Sequence, residues 1–422
     1  MEHEIYDNYV AILKSELVPA LGCTEPIALA FAAAKAKEAL GYMPEKIKMY
    51  CSGNIIKNVK GVTVPNSGGL KGIDVAATLG VVGGRADKAL EVLQFITIKD
   101  IEKAKELIGQ GFCECELIDG SENLHIIAEV ICKDEMASVE VKDKHTYITK
   151  IIKNNQVIFK RNKPQVEVSN GNKELLNVKD IIEFANTVPI ERISELLEQQ
   201  VELNTRIAKE GIENGYGTEV GRTIMEYYGT DVRTRARAMS AAGSDARMSG
   251  CALPVVINSG SGNQGITVSV PVIEYAKEMN ASKELLYRAL AIANLISIHQ
   301  KRYIGSLSAY CGATSAGCGA GCGIAYLNGG GYKEISETIT NTIANIGGMV
   351  CDGAKPSCAA KIASAVDAGI LGYFMSANNK VFAAGEGLVE EDVEKTIQNL
   401  GRMGREGMRS TDVEILNIMI GK

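Results

Sequence analysis

Residues 304–359 set the first constraint on the fold, because they place five of the chain's eleven cysteines among glycine, alanine and serine. The stretch carries Ser308-Ala309-Tyr310-Cys311-Gly312-Ala313-Thr314 and then Cys318-Gly319-Ala320-Gly321-Cys322-Gly323. After an amphipathic run it reaches Gly347-Gly348-Met349-Val350-Cys351-Asp352-Gly353-Ala354-Lys355-Pro356-Ser357-Cys358. Residues this small let a backbone approach a neighbour or a bound group closely. Cys351 and Cys358 flank a short loop, and Ser357 can cap the helix that Cys358 begins. Cys311 lies on or beside a glycine-broken helix about forty residues earlier. Three thiolates from two segments can hold a cubane iron–sulfur cluster and leave one iron open, as a Lewis-acid cluster requires. A structural zinc site competes with this reading, although zinc favours four ligands and Cys-x2-Cys pairs, and no such pair occurs. Cys318 and Cys322, on a helix with small neighbours, read as packing residues.

Composition narrows the setting. With 422 residues the chain can build two or three domains with cores of their own. A net charge of −6 and the lack of a basic run argue against a nucleic-acid partner. The acidic opening, Met1-Glu2-His3-Glu4, leads into an amphipathic helix pattern rather than a secretory signal. No uncharged apolar run reaches membrane-spanning length. A cytoplasmic protein without a membrane partner is therefore expected. In that compartment eleven cysteines point to ligands or reactive thiols rather than a disulfide framework. Four histidines supply His-based metal chemistry poorly.

The expected fold class is α+β: a small α/β domain with a mostly antiparallel sheet, and a larger all-helical domain that carries the cluster. Residues 1–42 read as N-terminal helices packing on the helical domain, 43–165 as the α/β domain and 166–422 as the helical domain. Helices are predicted at 5–18 and from Thr24, as N-cap, to about Leu40. Cys23 then sits just before a helix N-terminus, where partial positive charge favours a thiolate. The bland alternative is a small buried residue at a turn. Strand patterns fall at 46–51, 94–98, 112–118, 124–132, 136–143 and 155–160, with helices near 73–83, 100–109 and 145–152. Cys113, Cys115 and Cys132 read as core or half-buried thiols, and His125 and His145 as structural or solvated. Residues 161–176 form a polar linker. Beyond 177 nearly everything is helical, interrupted by two glycine-containing breaks, 240–251 and 258–265. The second precedes an apolar helix, whose free N–H groups face whatever binds there.

Six ordered motifs now converge. They are Leu21-Gly22-Cys23-Thr24-Glu25-Pro26, Ser52-Gly53-Asn54-x-x-Lys57-Asn58, Ser244-Asp245-Ala246-Arg247-Met248 and Gly260-Ser261-Gly262-Asn263-Gln264-Gly265, then Leu307-Ser308-Ala309-Tyr310-Cys311 and Cys351-Asp352-Gly353-Ala354-x-x-Ser357-Cys358. Together they resemble the L-cysteine desulfidase family, oxygen-sensitive iron–sulfur enzymes distantly similar to the iron–sulfur L-serine dehydratases. The resemblance implies a [4Fe-4S] cluster held by Cys311, Cys351 and Cys358. It implies Cys23 as the base, in the place of a His-Thr pair in the serine dehydratases. Cys23 as a ligand in place of Cys358 remains the alternative. The implied reaction is β-elimination of L-cysteine with water to pyruvate, ammonia and hydrogen sulfide. Asn54, Lys57, Asn58, Arg247, Asn263 and Gln264 are the implied substrate contacts. For Arg247 an internal ion pair with Asp245 or with a helix end is an equal alternative, and His299 reads as a helix-end residue. Pro65-Asn66-Ser67-Gly68 departs from the Gly-Thr-Gly-like turn expected there. Competing functions are an iron–sulfur L-serine dehydratase, a pyridoxal-dependent lyase and a non-catalytic zinc- or cluster-binding sulfur carrier. Apolar helix faces are compatible with a homodimer.

Overall fold

Strand β2 (Lys46–Cys51) buries every second residue, Ile47, Met49 and Cys51, and becomes the second strand of a six-stranded sheet. A computed structural model describes this sheet within residues 3–118, 124–161, 171–305 and 308–422. Part of the expected linker, 162–170, and Leu307 of the 307–311 motif lie outside the described residues. The sheet runs β3 (Cys113–Leu117), β2, β4 (His125–Cys132), β5 (Glu135–Lys142), β6 (Ile148–Lys153), β7 (Gln156–Lys160). Only the β2–β3 pair is parallel. One face is covered by the alanine-rich helix α2 (Thr24–Leu40) and by α4 (Ile73–Val82). The two helices touch at Gly80, where a Cβ would stand 2.3 Å from the Ala30 carbonyl oxygen.

The first helix, α1 (His3–Glu16), lies with the helical body instead, its Tyr9 ring 5.5 Å from Phe184. The N-terminal 42 residues thus divide between two cores, α1 joining the helices and α2 the sheet. Between them β1 (Pro19–Leu21) pairs antiparallel with β8 (Pro254–Val256). Helix α3 (Gly53–Val59) follows β2, and α5 (Ile98–Gly109) precedes β3.

Two local expectations are corrected here. Residues 94–98 form no strand; they lead into α5, whose capping box joins Thr97 and Asp100. Residues 148–153 are strand β6 rather than part of a helix at 145–152, because Ile148, Ile151 and Ile152 pair with Val141, Val139 and Ser138 of β5. β-Branched residues fit such a half-buried ladder better than a helix interior.

The helical body consists of α6 (Val178–Thr187), α7 (Ser194–Glu213), α8 (Val220–Tyr228), α9 (Val232–Met248), α10 (Gly262–Glu278), α11 (Lys283–Ile304), α12 (Gly312–Leu327), α13 (Tyr332–Ile346), α14 (Cys358–Ala377) and α15 (Val393–Arg402). A last helix, α16 (Arg409–Ile420), packs on α3. The run expected as a break at 240–251 is mostly the C-terminal half of α9. It is glycine- and alanine-rich because α7 crosses it closely: a Cβ on Gly211 would lie 2.0 Å from the Ala242 carbonyl oxygen. α14 is the one described helix with the length and apolarity to cross a membrane, and half of that window is buried within the protein.

Helix α12 is the axis of the body. It crosses α14 through glycines on both sides, and a Cβ on Gly321 would stand 2.4 Å from the Gly369 carbonyl oxygen. On Gly369 it would stand 2.1 Å from that of Gly317. Gly321→Val should force the helices apart and cost about 3 kcal/mol. Chemical denaturation checks this: the midpoint should fall with the slope unchanged.

Candidate functional site

A short backbone bridge brings the first two cluster-candidate thiols together. Tyr310 and Val350 form an isolated antiparallel pair. The Cys311 N–H donates to the Met349 carbonyl at 3.0 Å, and the Cys351 N–H to the Ala309 carbonyl at 2.6 Å. Cys311 is the N-cap of α12 and Cys358 the first residue of α14. The loop between Cys351 and Cys358 is stapled by Asp352, which pairs with Lys355 at 2.6 Å and with Lys361 of α14. Burial pushes the Asp352 carboxyl up, but the two lysines more than offset it and hold it near 2. Gly353, at φ +96°, turns the loop against α3, where a Cβ would lie 2.4 Å from the Lys57 carbonyl oxygen.

These segments wall a cavity of about 530 Å³. Cys311, Cys351 and Cys358 line it, with Lys301 from the end of α11 and Lys361 beside them. Asn58, Asn263, Gln264 and Glu25 also line it, and so do the Ser259–Ser261 turn and His145 from the β5–β6 turn. Of the predicted site residues, six therefore share one cavity: the three cysteines, Asn58, Asn263 and Gln264.

The electrostatics differ along it. Cys351 is held below the usual thiol range by a hydrogen bond from the Cys311 thiol, by Lys57, by the Gly353 amide and by Lys301. Burial lowers Lys301 to about 8, against the pull of Cys351 and Cys311. Among the described residues no three His, Cys, Asp or Glu side chains converge as the ligands of one metal ion. The thiolates of a cubane bind different iron atoms and stand further apart than that.

Four predicted residues do not line the cavity, and three of them need a revised role. Lys57 is 1% exposed and forms an ion pair with Asp412 of α16. It acts on the site as a buried charge near Cys351, not as a substrate contact. Arg247, also buried, makes no ion pair with Asp245, whose Oδ2 accepts the Gly221 N–H and whose Oδ1 is unpartnered. Its Nη1 donates instead to Asn263 Oδ1 at 3.1 Å, and its Nε has no hydrogen-bond partner among the described residues. Arg247 thus stands behind Asn263. Cys23, rather than Thr24, is the N-cap of α2, and its thiol donates to Glu25 Oε2 at 3.1 Å. Burial and the Glu25 carboxylate push the thiol well up, outweighing the helix end that was expected to favour the thiolate. Cys23 packs with Val62, Met248 and Cys358. Asn54 lies in the first turn of α3 but does not line the cavity.

With three thiols and a row of amides on one cavity, comparison with known proteins becomes informative. The profile of the family described as serine dehydratase alpha chain matches residues 87–417. The chain belongs to this family. The match spans all three cavity cysteines, Arg247, Asn263, Gln264, Lys301 and His145, whereas Cys23, Asn54, Lys57 and Asn58 precede it. Full-length relatives are also found. A UPF0597 protein of Desulfitobacterium hafniense (strain Y51) is 51% identical over 418 residues, 99% of this chain and 97% of the relative. One of Lachnoclostridium phytofermentans is 52% identical over 416 residues, 99% and 100% of the two chains. One of Finegoldia magna is 50% identical over 418 residues, 98% and 100%.

Three cavity residues escaped the sequence reading as functional groups. Glu25 stood inside a quoted motif, and the hydrogen bonds it accepts from Cys23, Thr24 and Asn58 make it the hub of that corner. Lys301 stands in none of the six motifs. His145 was assigned to a helix that does not form. Only tertiary contact distinguishes them. For Lys57, Asp412→Asn should strand a buried ammonium and cost about 3 kcal/mol. The double variant Lys57→Met/Asp412→Leu should recover most of that loss, read by urea denaturation.

Proposed function

We propose that the protein is an iron–sulfur-dependent lyase that eliminates the β-substituent of a small L-amino acid, with L-cysteine as substrate. The products are pyruvate, ammonia and hydrogen sulfide. The observation that carries this reading is the shared cavity, with Cys311, Cys351 and Cys358 at one end and Asn58, Asn263 and Gln264 also on its wall. The donor set fits a [4Fe-4S] cluster with one open iron. Three thiols line one space, one is already biased toward thiolate, and Lys57 and Lys301 supply the positive surroundings that an anionic cluster needs. When bound, the cluster supplies a Lewis acid that takes up charge on the departing sulfur.

The chain's own groups do the rest. Asn58, Asn263 and Gln264 offer amide donors to the substrate carboxylate, and Arg247 adds its charge from behind Asn263. The first turn of α10 points its free N–H groups toward the same corner. Cys23, its thiol proton held by Glu25 beside Cys358, is a positioning residue for the Glu25–Asn58 corner rather than the base. The released aminoacrylate tautomerises and hydrolyses without further help.

L-Serine is the second substrate considered, because the family's description is that of a serine dehydratase chain. Anaerobic holoenzyme should release sulfide from L-cysteine faster than it forms pyruvate from L-serine; the reverse order assigns the serine reaction instead. Replacing Cys311, Cys351 or Cys358 by Ser should abolish the visible iron–sulfur absorption. Cys23→Ala should keep that absorption and lose turnover by roughly 100-fold. Loss of the absorption in Cys23→Ala would make Cys23 a ligand.

A further inference from the structure

The elimination needs a group that accepts the Cα proton, and Cys23, with its proton engaged by Glu25, is not that group. One cavity residue is left without an assignment. The turn between β5 and β6 crosses from the sheet to the helical body and is closed by the Lys142 N–H to the Tyr147 carbonyl at 3.1 Å and the Tyr147 N–H to the Lys144 carbonyl at 3.0 Å. At its tip His145 lies against Gly260. A Cβ on Gly260 would approach the ring's Cε1 to 3.4 Å and Nδ1 to 3.7 Å. Gly260, at φ +79°, also accepts the Thr24 hydroxyl at 3.0 Å, which ties His145 to the Cys23–Glu25 corner.

The partners of the other histidines show why this one stands apart. His125 Nε2 meets Glu140 at 3.0 Å, and His299 Nε2 meets Glu394 at 2.7 Å. His145 Nε2 is buried with no hydrogen-bond partner among the described residues, yet the residue lines the cavity. His299 Nδ1 is likewise unpartnered, but neither His299 nor His125 lines the cavity. Burial and Arg247 keep this ring neutral, against the pull of Glu25. Lying against Gly260, three residues before Asn263, it stands at the amide end, where the substrate's carboxylate is read. Lys301 belongs to the other end, because its interactions are with Cys351 and Cys311. Cα is one bond from the carboxylate, so the proton acceptor belongs at the amide end.

We propose that His145 is the catalytic base, its Nε2 taking the Cα proton of the bound amino acid. The inference rests on the β-elimination reading given above. The C–H electron pair becomes the Cα–Cβ double bond, and the Cβ–S pair leaves with the sulfur. The substrate's sulfur keeps its own thiol proton and departs as hydrosulfide. The site resets when the proton on His145 is released to solvent.

The test is His145→Gln in anaerobic holoenzyme. Cluster absorption and iron content should match the wild type, KM should stay within about threefold, and kcat should fall by roughly 100-fold or more. Added imidazole should restore part of kcat, and Cα-deuterated substrate should show a larger isotope effect than with wild type. In the wild type, diethyl pyrocarbonate should label His145, and L-cysteine should protect it, read by peptide mass spectrometry. A His145→Gln enzyme within threefold of wild-type kcat overturns the proposal alone. So does a loss of kcat without imidazole rescue or isotope effect. A wild type inactive on both cysteine and serine overturns the lyase reading, and this proposal with it.

Discussion

The site depends on helix amino ends meeting at one place. Cys23 caps α2, Cys311 caps α12, Cys358 opens α14, and Gly262 to Gln264 form the first turn of α10. Each such end carries unpaired N–H groups worth about half a positive charge. Bringing several together is unfavourable unless something negative lies between them, and Lys57 and Lys301 add to the same sign. Glu25 supplies one negative group, accepting bonds from α2 and α3. The rest of the positive field is suited to thiolates, an anionic cluster and a substrate carboxylate. Chemistry on anions follows from this geometry more directly than from any single side chain.

Such convergence requires helices to approach more closely than ordinary side chains allow. The glycine contacts of α12 with α14, and of α7 with α9, remove the Cβ atoms that would prevent it. The β1–β8 pair then fixes α2 against the helical body, so a residue near the N-terminus reaches thiols nearly three hundred positions later. The β5–β6 turn gives the sheet a direct reach into the same space. The sheet is therefore part of the site's wall, through His145, as well as the support for α2 and α3.

What was legible in the sequence had local causes. The alternation in β2, the alanine-rich run of α2 and the helical pattern after residue 177 each depend on neighbours a few residues away. So does the grouping of Cys351 and Cys358 around a capped loop. What was not legible depends on distant partners. Residues 148–153 became a strand because β5 offered a ladder. Residues 240–248 stayed helical because α7 covers their small side chains. Lys57 read as a substrate contact because its partner, Asp412, lies 355 positions away.

Cys23 and Cys351 show how the same physics yields opposite outcomes. Cys23 is buried at the end of α2, and Cys351 lies half-buried in the loop before α14. Cys23 faces the Glu25 carboxylate, so a second negative charge there is opposed, and the thiol keeps its proton. Cys351 faces Lys57, Lys301 and the thiol of Cys311, and its negative form is favoured. Burial leads for Cys23 and a hydrogen bond from the Cys311 thiol for Cys351; in each the charged partner adds to that bias. That partner came from α2 itself for Cys23, and from α3 and α11 for Cys351. One thiol beside the cavity thus keeps its proton while another on its wall is biased toward thiolate, with Cys358 next to the first.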